Sequence, residues 1–437
     1  MSNRQVSTSF QQIKLFGGVF LFIVLVVAAF VFFDGRDLAQ ASQEFSGVMA
    51  ENATPTPFLP SSEADTFLFE PFGQAVASPT PSPSGGAGNG LYPTVVPEAM
   101  PTLSDITPYS LPAGFNPLTG LPPASPEFLD RRPVASKVTL FPRSARPQYG
   151  LTLADVVYEY YIEWGATRFI AVYFGENPSQ IGPVRSGRFF DEHIARMYQS
   201  YLVFKYADKR VLDYFEQTDI SDFLVVPLMR CSPFFIGQED RNLYNNIFFD
   251  MTSLGPCLER HGYDNNAPSL RSGYFSERAP VSDEEGLHIF GVYSLDDYHH
   301  WRYESGIARY YREQETDDLR NDKAPNYAPL MDNLTGEQVS ADNLVYVFFP
   351  HTFADQWQEE DEVYHIEPLG TGDAYLFRNG RVIPAYWRRF AIDQPLELTD
   401  LYGEPLALKP GRTFYEVMRQ ESVVTHDGVN WYFQFEP

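Results

Sequence analysis

Residues 155–174 read DVVYEYYIEWGATRFIAVYF and contain two runs rich in β-branched and aromatic residues. The runs at 155–162 and 168–174 predict two buried strands, because such side chains pack well on a pleated sheet. Three further runs of the same kind extend this pattern, at 133–141, 201–206 and 223–226. The centre of the chain is therefore predicted to contain a sheet.

Two helix-like stretches lie among these strands. The first is 186–200, SGRFFDEHIARMYQS, with Ser186 as a candidate N-cap, and the second is 208–217. Strands that alternate with helices indicate a mixed α/β domain. We assign this domain to residues 113–275.

The remainder of the chain has a different pattern. Residues 276–437 contain short strand-like runs separated by turn signals, among them HIFGVYS, NLVYVFF and NWYFQFE. Asn379-Gly380 in FRNGRVI predicts a hairpin, because these two residues accept the positive φ angles of a type I′ turn. The predicted fold class is α+β, with the mixed α/β domain followed by a β-rich C-terminal domain.

The N-terminus contains an apolar segment. Residues 15–33, LFGGVFLFIVLVVAAFVFF, carry no charge and would span about 28 Å as a helix, which predicts a single transmembrane anchor. Arg4 and Lys14 precede it, so residues 1–14 are expected in the cytoplasm and the body outside the cell membrane. A cleaved signal peptide ending near Ala39-Gln40-Ala41 is the alternative.

Between the apolar segment and the folded body lies a Pro-, Ser-, Thr- and Gly-rich stretch. Residues 34–112 include TPTPFLP and SPTPSPSGGAGNG, and no Lys or Arg occurs from 37 to 130. Such a composition does not bury enough apolar surface to fold. We therefore predict a disordered tether that holds the body away from the membrane.

Overall composition excludes several functions. The 437 residues carry a formal net charge of -25, which would repel nucleic acid. No phosphate-binding glycine loop, dinucleotide fingerprint or HExxH helix is present, so no cofactor is expected. His299 and His300 lie near acidic runs, but neighbours in a strand point to opposite faces, and a metal site is not expected.

The chain contains two cysteines, Cys231 and Cys257. An extracytoplasmic body would be in an oxidising compartment, which favours a disulfide between them. Two buried free thiols are the alternative.

Positive charge is concentrated in one region. Residues 131–210 carry 12 Lys and Arg against seven Asp and Glu, whereas residues 280–437 carry 12 against 29. Arg185 and Arg188 in IGPVRSGR would form an anion-binding corner if a helix began at Ser186, because its free N–H groups would add to the side chains. Internal ion pairs with Glu159, Glu163 or Asp191 are the alternative.

Glu159 and Glu163 are candidate glycosidase carboxylates beside aromatic residues. Residues i and i+4 of a strand share a face about 13 Å apart, which is beyond the separation that either glycosidase mechanism uses. The strand prediction therefore argues against this pair.

Several motifs carry a family resemblance. ARPQYGLTLADVVYE, TRFIAVYF, IGPVRSGR and, far downstream, NGRVIPAYWRR and LALKPGRTFYEV resemble the bacterial YerB-like lipoprotein family. The resemblance implies two domains of unknown function and a location in the cell envelope. This chain has no lipobox cysteine after its apolar segment. The family's His-Asn pair corresponds here to Asn245-Asn246, so a general base at the histidine position would be missing.

These observations lead to three functional hypotheses. The first is a membrane-anchored, extracytoplasmic envelope protein that binds an anionic or glycan ligand through Arg146, Arg168, Arg185 and Arg188, supported by Tyr158, Glu159 and Asn246. The second is a hydrolase of cell-wall or surface glycan with Glu159 or Asp191 as acid or base. The third is a scaffold that binds an envelope protein partner through the acidic C-terminal domain.

Overall fold

The computed structural model describes residues 110–227, 229, 232–237, 245–354 and 363–437. All of them fall within one compact unit of the chain. No helix in these ranges has the length and apolar character needed to cross a membrane. The predicted anchor at 15–33 and all of the tether except residues 110–112 lie outside the described residues.

The described residues form mainly strands and a few short helices. The helices are α1 (Asp191–Met197), α2 (Lys209–Glu216) and α3 (Leu254–His261). In chain order the strands are β1 (Val134–Thr139), β2 (Val156–Glu163), β3 (Ala166–Tyr173), β4 (Tyr201–Val203), β5 (Leu224–Val225), β6 (Phe234–Ile236), β7 (Ile247–Phe249), β8 (His288–Val292), β9 (Tyr298–Glu304), β10 (Arg309–Glu315), β11 (Tyr327–Pro329), β12 (Ser340–Ala341), β13 (Asn343–Phe349), β14 (His351–Phe353), β15 (Tyr364–Ile366), β16 (Gly370–Arg378), β17 (Arg381–Arg389), β18 (Glu397–Thr399), β19 (Thr413–Arg419), β20 (Val423–Asp427) and β21 (Asn430–Gln434).

The largest sheet has ten strands in the order β18-β17-β16-β13-β19-β2-β3-β1-β4-β5. Its two halves come from the two predicted domains and meet where β2 pairs with β19 in parallel. Tyr158 lies opposite Tyr415 in this pairing, and Glu159 lies opposite Glu416. The two parts of the chain therefore share one sheet.

A second sheet covers one face of the first. It has the order β11-β10-β9-β8-β21-β20, with β12 paired to β10. The ring of Trp301 on β9 packs edge-on against Phe414 on β19, with 4.8 Å between the ring centroids. Trp301 and Phe414 are both buried, so the space between the sheets is a core.

The opposite face of the large sheet carries α1. Strand alternation sends Tyr158 and Tyr160 to this side, away from Glu159. Tyr158 stacks on Tyr415 with 4.6 Å between the ring centroids. Tyr160 meets Phe190, the residue before α1, at 4.7 Å. These aromatic contacts fix the helix on the sheet.

The predicted central strands are confirmed as β1 to β5. The hairpin at Asn379-Gly380 is confirmed between β16 and β17, with φ angles of 56° and 74°. The predicted helix at 208–217 is confirmed as α2, where the Asp208 side chain accepts a hydrogen bond from Arg210 N.

The predicted helix at 186–200 is wrong in its extent. Helix α1 begins at Asp191, and Ser186 is not its N-cap. The reason is that Val184 bridges to Val138 and Gly187 bridges to Ala207, so the backbone before the helix is extended. The described part of residues 113–275 is thus β-rich with few helices, whereas a mixed α/β domain was predicted.

Cys257 on α3 is disulfide-bonded in the structure. Cys231, the other cysteine of the sequence, lies outside the described residues.

Candidate functional site

The site begins where the parallel strands β1 and β4 separate at their carboxyl ends. Arg185 N donates to Lys137 O at 3.1 Å, and Lys205 N donates to Arg185 O at 3.1 Å. The extended segment around Arg185 therefore lies between the continuations of the two strands. In sheets with parallel strands, ligands commonly bind in such a crevice at the carboxyl ends.

Four cationic side chains meet there, and we call them the basic edge: Arg168, Arg185, Arg188 and Lys205. Lys205 has its pKa lowered by burial and by the charge of Arg185. Three of these residues were predicted as ligand-binding, and the structure brings those three together. Lys205 was missed, because nothing in the sequence shows that β4 continues beside the segment that carries Arg185.

Arg188 is held by an acid. Its Nε donates to Glu163 Oε2 at 2.7 Å, and its Nη2 contacts the other carboxylate oxygen. Burial alone would raise the pKa of Glu163, but the charges of Arg188, Arg168 and Lys137, together with the hydrogen bond from Arg188, outweigh burial and hold this pKa below its usual value. A register shift between Tyr161 and Glu163 breaks the strand alternation. Glu163 therefore does not share a face with Glu159, contrary to the prediction.

Arg168 has a different environment. Its side chain is 7% exposed, and its Nη1 donates to Ser186 O at 2.9 Å. Burial lowers the pKa of Arg168 to about 9, and the like charges of Arg188 and Arg185 contribute. Positive charges therefore crowd one another at the basic edge.

Lys137 lies on β1 beneath the basic edge and was not predicted as a site residue. Its Nζ is 3.0 Å from Asp191 Oδ1, and the Tyr160 hydroxyl contacts both groups. Burial lowers the pKa of Lys137 to about 7. The available signal was a lysine within a predicted buried strand.

Three other predicted ligand residues lie elsewhere. Tyr158 is fully buried and its hydroxyl is 2.8 Å from that of Tyr198. Arg146 pairs with buried Glu315 at 2.5 Å. Glu159 lies in the core between the two sheets. None of these side chains reaches the basic edge.

Asn246, the remaining predicted residue, precedes β7. It is 5% exposed, and its carbonyl oxygen accepts from Gly237 N at 2.8 Å. Strand β7 runs beside the segment that leads to Arg185, since Val184 N donates to Ile247 O at 2.8 Å. Asn246 is thus near the basic edge through its backbone.

Glu159 belongs to a buried group between the two sheets, which we call the inter-sheet cluster: Glu159, His299, Trp301, Arg312 and Glu416. Arg312 contacts a carboxylate oxygen of each glutamate at 2.6 Å. Trp301 Nε1 donates to Glu416 Oε1 at 2.8 Å. Thr167, outside the cluster, donates its hydroxyl to Glu159 Oε1 at 2.6 Å.

Three members of the cluster carry groups that can bind a metal ion. One ligand atom each from Glu159, His299 and Glu416 lies within 4.8 Å of the others. Arg312, however, already places a guanidinium between the two carboxylates, so a cation occupies this position. His300 faces away from the cluster and contacts Glu313 at 2.8 Å, as strand alternation predicts.

The pKa of Glu159 gives a testable pH dependence. Burial raises this pKa to about 8, with Arg312 opposing and Glu416 adding to the shift. The pKa of Glu159 is therefore higher in the folded state than in the unfolded state, where it is near 4.5, so protonated Glu159 stabilises the fold. This stabilisation is fully present below pH 4.5 and is lost as the pH rises through 8. We expect the difference in unfolding free energy between the native protein and Glu159→Gln to change by up to about 1.4 kcal/mol per pH unit in this window.

Urea unfolding at several pH values measures that difference. The matched control is Glu421→Gln, because the Glu421 side chain is 61% exposed. Parallel pH curves for the native protein and Glu159→Gln would contradict the assignment.

Comparison with known proteins follows the same division of the chain. Residues 118–264 match the family described as "Protein of unknown function (DUF3048) N-terminal domain". Residues 289–415 match its "C-terminal domain". The two matches together cover more than half of the chain.

One curated relative is "Putative lipoprotein YerB" of Bacillus subtilis (strain 168). It is 25% identical over 314 residues, which cover 69% of this chain and 85% of the relative. A crystal structure of the YerB protein from Bacillus subtilis superposes with a TM-score of 0.57 at 23% identity, covering 70% of this chain and 96% of that one. This likeness confirms the fold. The chain therefore belongs to the DUF3048 family of proteins of unknown function, as its YerB-like motifs predict.

Proposed function

We propose that this protein is a membrane-attached, extracytoplasmic envelope protein that binds an anionic ligand at the basic edge. The observation that carries the proposal is the convergence of Arg168, Arg185 and Arg188 at the carboxyl ends of parallel strands. These arginines come from a strand and from the loop before α1.

The location rests on two supports. The curated relative is named a lipoprotein, a class attached to the outer side of a membrane. This chain has an uncharged segment at 15–33 in place of a lipobox cysteine, so the proposed attachment is a helix.

The ligand class rests on charge. Arg168 donates to a carbonyl oxygen, a contact that does not neutralise its charge. The Glu163 carboxylate pairs with Arg188 and also interacts electrostatically with Arg168, so one carboxylate serves both arginines. An anion placed at this edge would relieve the mutual repulsion of the arginines and form charge-assisted hydrogen bonds. The proposed ligand residues are therefore Arg168, Arg185 and Arg188. Arg146, Tyr158 and Glu159 are left out, because their contacts lie elsewhere.

The hydrolase hypothesis finds less support. Glu159 is enclosed in the inter-sheet cluster, and Asp191 is fully buried and bound by Lys137. Glu159 does not reach the basic edge, and Asp191 contacts it through the backbone, since Arg188 N donates to Asp191 Oδ2 at 2.8 Å. The scaffold hypothesis stays a prediction.

Retention on fractionated cell-envelope material tests the proposal. We expect Arg185→Gln to weaken retention about tenfold, because a charged hydrogen bond contributes roughly 1.5–3 kcal/mol. The double variant Glu163→Gln, Arg188→Gln removes the Arg188–Glu163 ion pair as a whole, so neither of these two partners is left buried and unpaired, and it should also weaken retention. High salt should weaken retention of the native protein.

The matched control is Arg132→Gln. Arg132 lies just before the opposite end of β1 and pairs with Asp264 at 2.7 Å. Equal retention of the native protein, Arg185→Gln and the double variant would remove the basic edge from the function.

A further inference from the structure

We infer that the ligand of the basic edge is an acidic saccharide, a sugar that carries a carboxylate or phosphate group as well as hydroxyls. The inference rests on the proposed function and names the class of its ligand. Two observations independent of the arginines carry it: a buried amide without partners, and two exposed aromatic rings.

The amide belongs to Asn245. Its side chain is 1% exposed, and neither Oδ1 nor Nδ2 has a hydrogen-bond partner among the described residues. Buried polar groups are almost always paired, so an unpaired amide indicates a missing partner.

The backbone places Asn245 beside the arginines. Ile181 and Phe249 form an antiparallel bridge, and Val184 N donates to Ile247 O at 2.8 Å. Asn245 lies two residues before Ile247, and Arg185 directly follows Val184, so the backbones of Asn245 and Arg185 are close at this point. The unpaired amide therefore belongs to the same site as the basic edge.

The chemistry of an amide narrows the ligand class. Asn245 offers one acceptor, Oδ1, and one donor group, Nδ2. The ionised oxygens of an inorganic anion, which are the oxygens that arginines bind, are acceptors only, so they would leave Oδ1 unsatisfied. A hydroxyl both donates and accepts, so a ligand with hydroxyls and an anionic group satisfies Asn245 and the arginines together.

Two exposed aromatic residues adjoin the residues that hold Arg188. Tyr206 is 58% exposed, and its carbonyl oxygen accepts from Gly187 N at 2.7 Å. Trp164 is 62% exposed and directly follows Glu163, the partner of Arg188. Exposed Tyr and Trp side chains combine an apolar face with a polar edge. A sugar ring has the same character and would pack on these rings while its acidic group meets the arginines.

Calorimetric titration of the full chain in detergent micelles tests the inference. The probes are a galacturonate trisaccharide, glucose 6-phosphate, sodium phosphate and neutral maltotriose. We expect at least one acidic sugar to bind about tenfold more tightly than phosphate or maltotriose. The two acidic sugars distinguish a carboxylate from a phosphate as the recognised group.

Variants separate the inference from the proposed function. Tyr206→Ala should weaken binding of the acidic sugar about tenfold and leave phosphate binding unchanged. Asn245→Leu should weaken sugar binding about tenfold and phosphate binding by less. Arg185→Gln should weaken both. Tyr402→Ala is the matched control, because Tyr402 is 93% exposed and lies beyond β18 at the far edge of the sheet.

Each outcome has one meaning. If Arg185→Gln weakens both probes while Tyr206→Ala and Asn245→Leu weaken neither, the saccharide inference is overturned, Asn245 is satisfied by water, and the anion site stands. If phosphate and both acidic sugars fail to bind, both the saccharide inference and the proposed function are overturned. Tyr206 is exposed, so its variant gives an answer even if Asn245→Leu does not fold.

Discussion

Replacing Arg312 with methionine is expected to lower the free energy of unfolding by about 3–5 kcal/mol, because it leaves two buried acidic groups without the guanidinium that contacts both of them. Arg312 is fully buried and contacts Glu159 and Glu416 at 2.6 Å each. These glutamates lie on β2 and β19, and Arg312 lies on β10 of the facing sheet. Its loss therefore weakens the contact between the two sheets. Chemical denaturation followed by tryptophan fluorescence measures the change.

Arg302→Met is the matched control. Arg302 lies on the neighbouring strand β9, is 39% exposed and pairs with Glu304 at 3.2 Å. A surface pair of this kind contributes about 0–1 kcal/mol. Equal destabilisation by the two variants would contradict the role of the inter-sheet cluster.

A triple variant checks the physical cause. Adding Glu159→Gln and Glu416→Gln to Arg312→Met removes the uncompensated charge, so most of the lost stability should return. If the triple variant is no more stable than Arg312→Met, lost packing rather than charge explains the effect.

Residues 113–275 expressed alone are expected to be largely unfolded. Their strand β2 would lose its pairing with β19, and Glu159 would lose both Arg312 and the cover of the second sheet. An exposed hydrophobic sheet edge and face also favour aggregation. Circular dichroism and amide dispersion in a two-dimensional NMR spectrum measure the outcome, with residues 110–437 as the control.

Co-expression of residues 276–437 extends this test. If the halves fold only together, the shared sheet is the folding unit, although the family is described as two domains. A cooperative thermal transition of residues 113–275 alone would contradict this conclusion.

Local sequence patterns predicted the secondary-structure elements that are determined by residues close together in the sequence. The aromatic and β-branched runs within 155–174 predicted β2 and β3, because strand preference and burial act on the same side chains. Asn379-Gly380 predicted its hairpin through the φ angles that these residues accept. The helix-like stretch 208–217 predicted α2, and in the structure Asp208 caps this helix through a contact within one helical turn.

Predictions failed where distant residues decide the outcome. The helix expected from Ser186 begins at Asp191, because Val138 and Ala207 bind the preceding backbone in an extended form. No local pattern predicts the role of Arg312, because its partners Glu159 and Glu416 are about 150 and 100 positions away in the sequence. Lys205 likewise joins the basic edge only through a backbone hydrogen bond to a distant segment, since Lys205 N donates to Arg185 O.

The sequence by itself determined the strand-rich character, the hairpin, the family and the concentration of basic residues before position 210. Tertiary structure decided which charges remain at an edge and which are enclosed. Arg185 and Glu159 are both charged residues in or beside strands. Arg185 lies between the separating strands β1 and β4, whereas the second sheet packs over Glu159. Whether a charged side chain is buried and paired depends on residues that are distant in the sequence and pack against it. Local sequence patterns do not identify those residues.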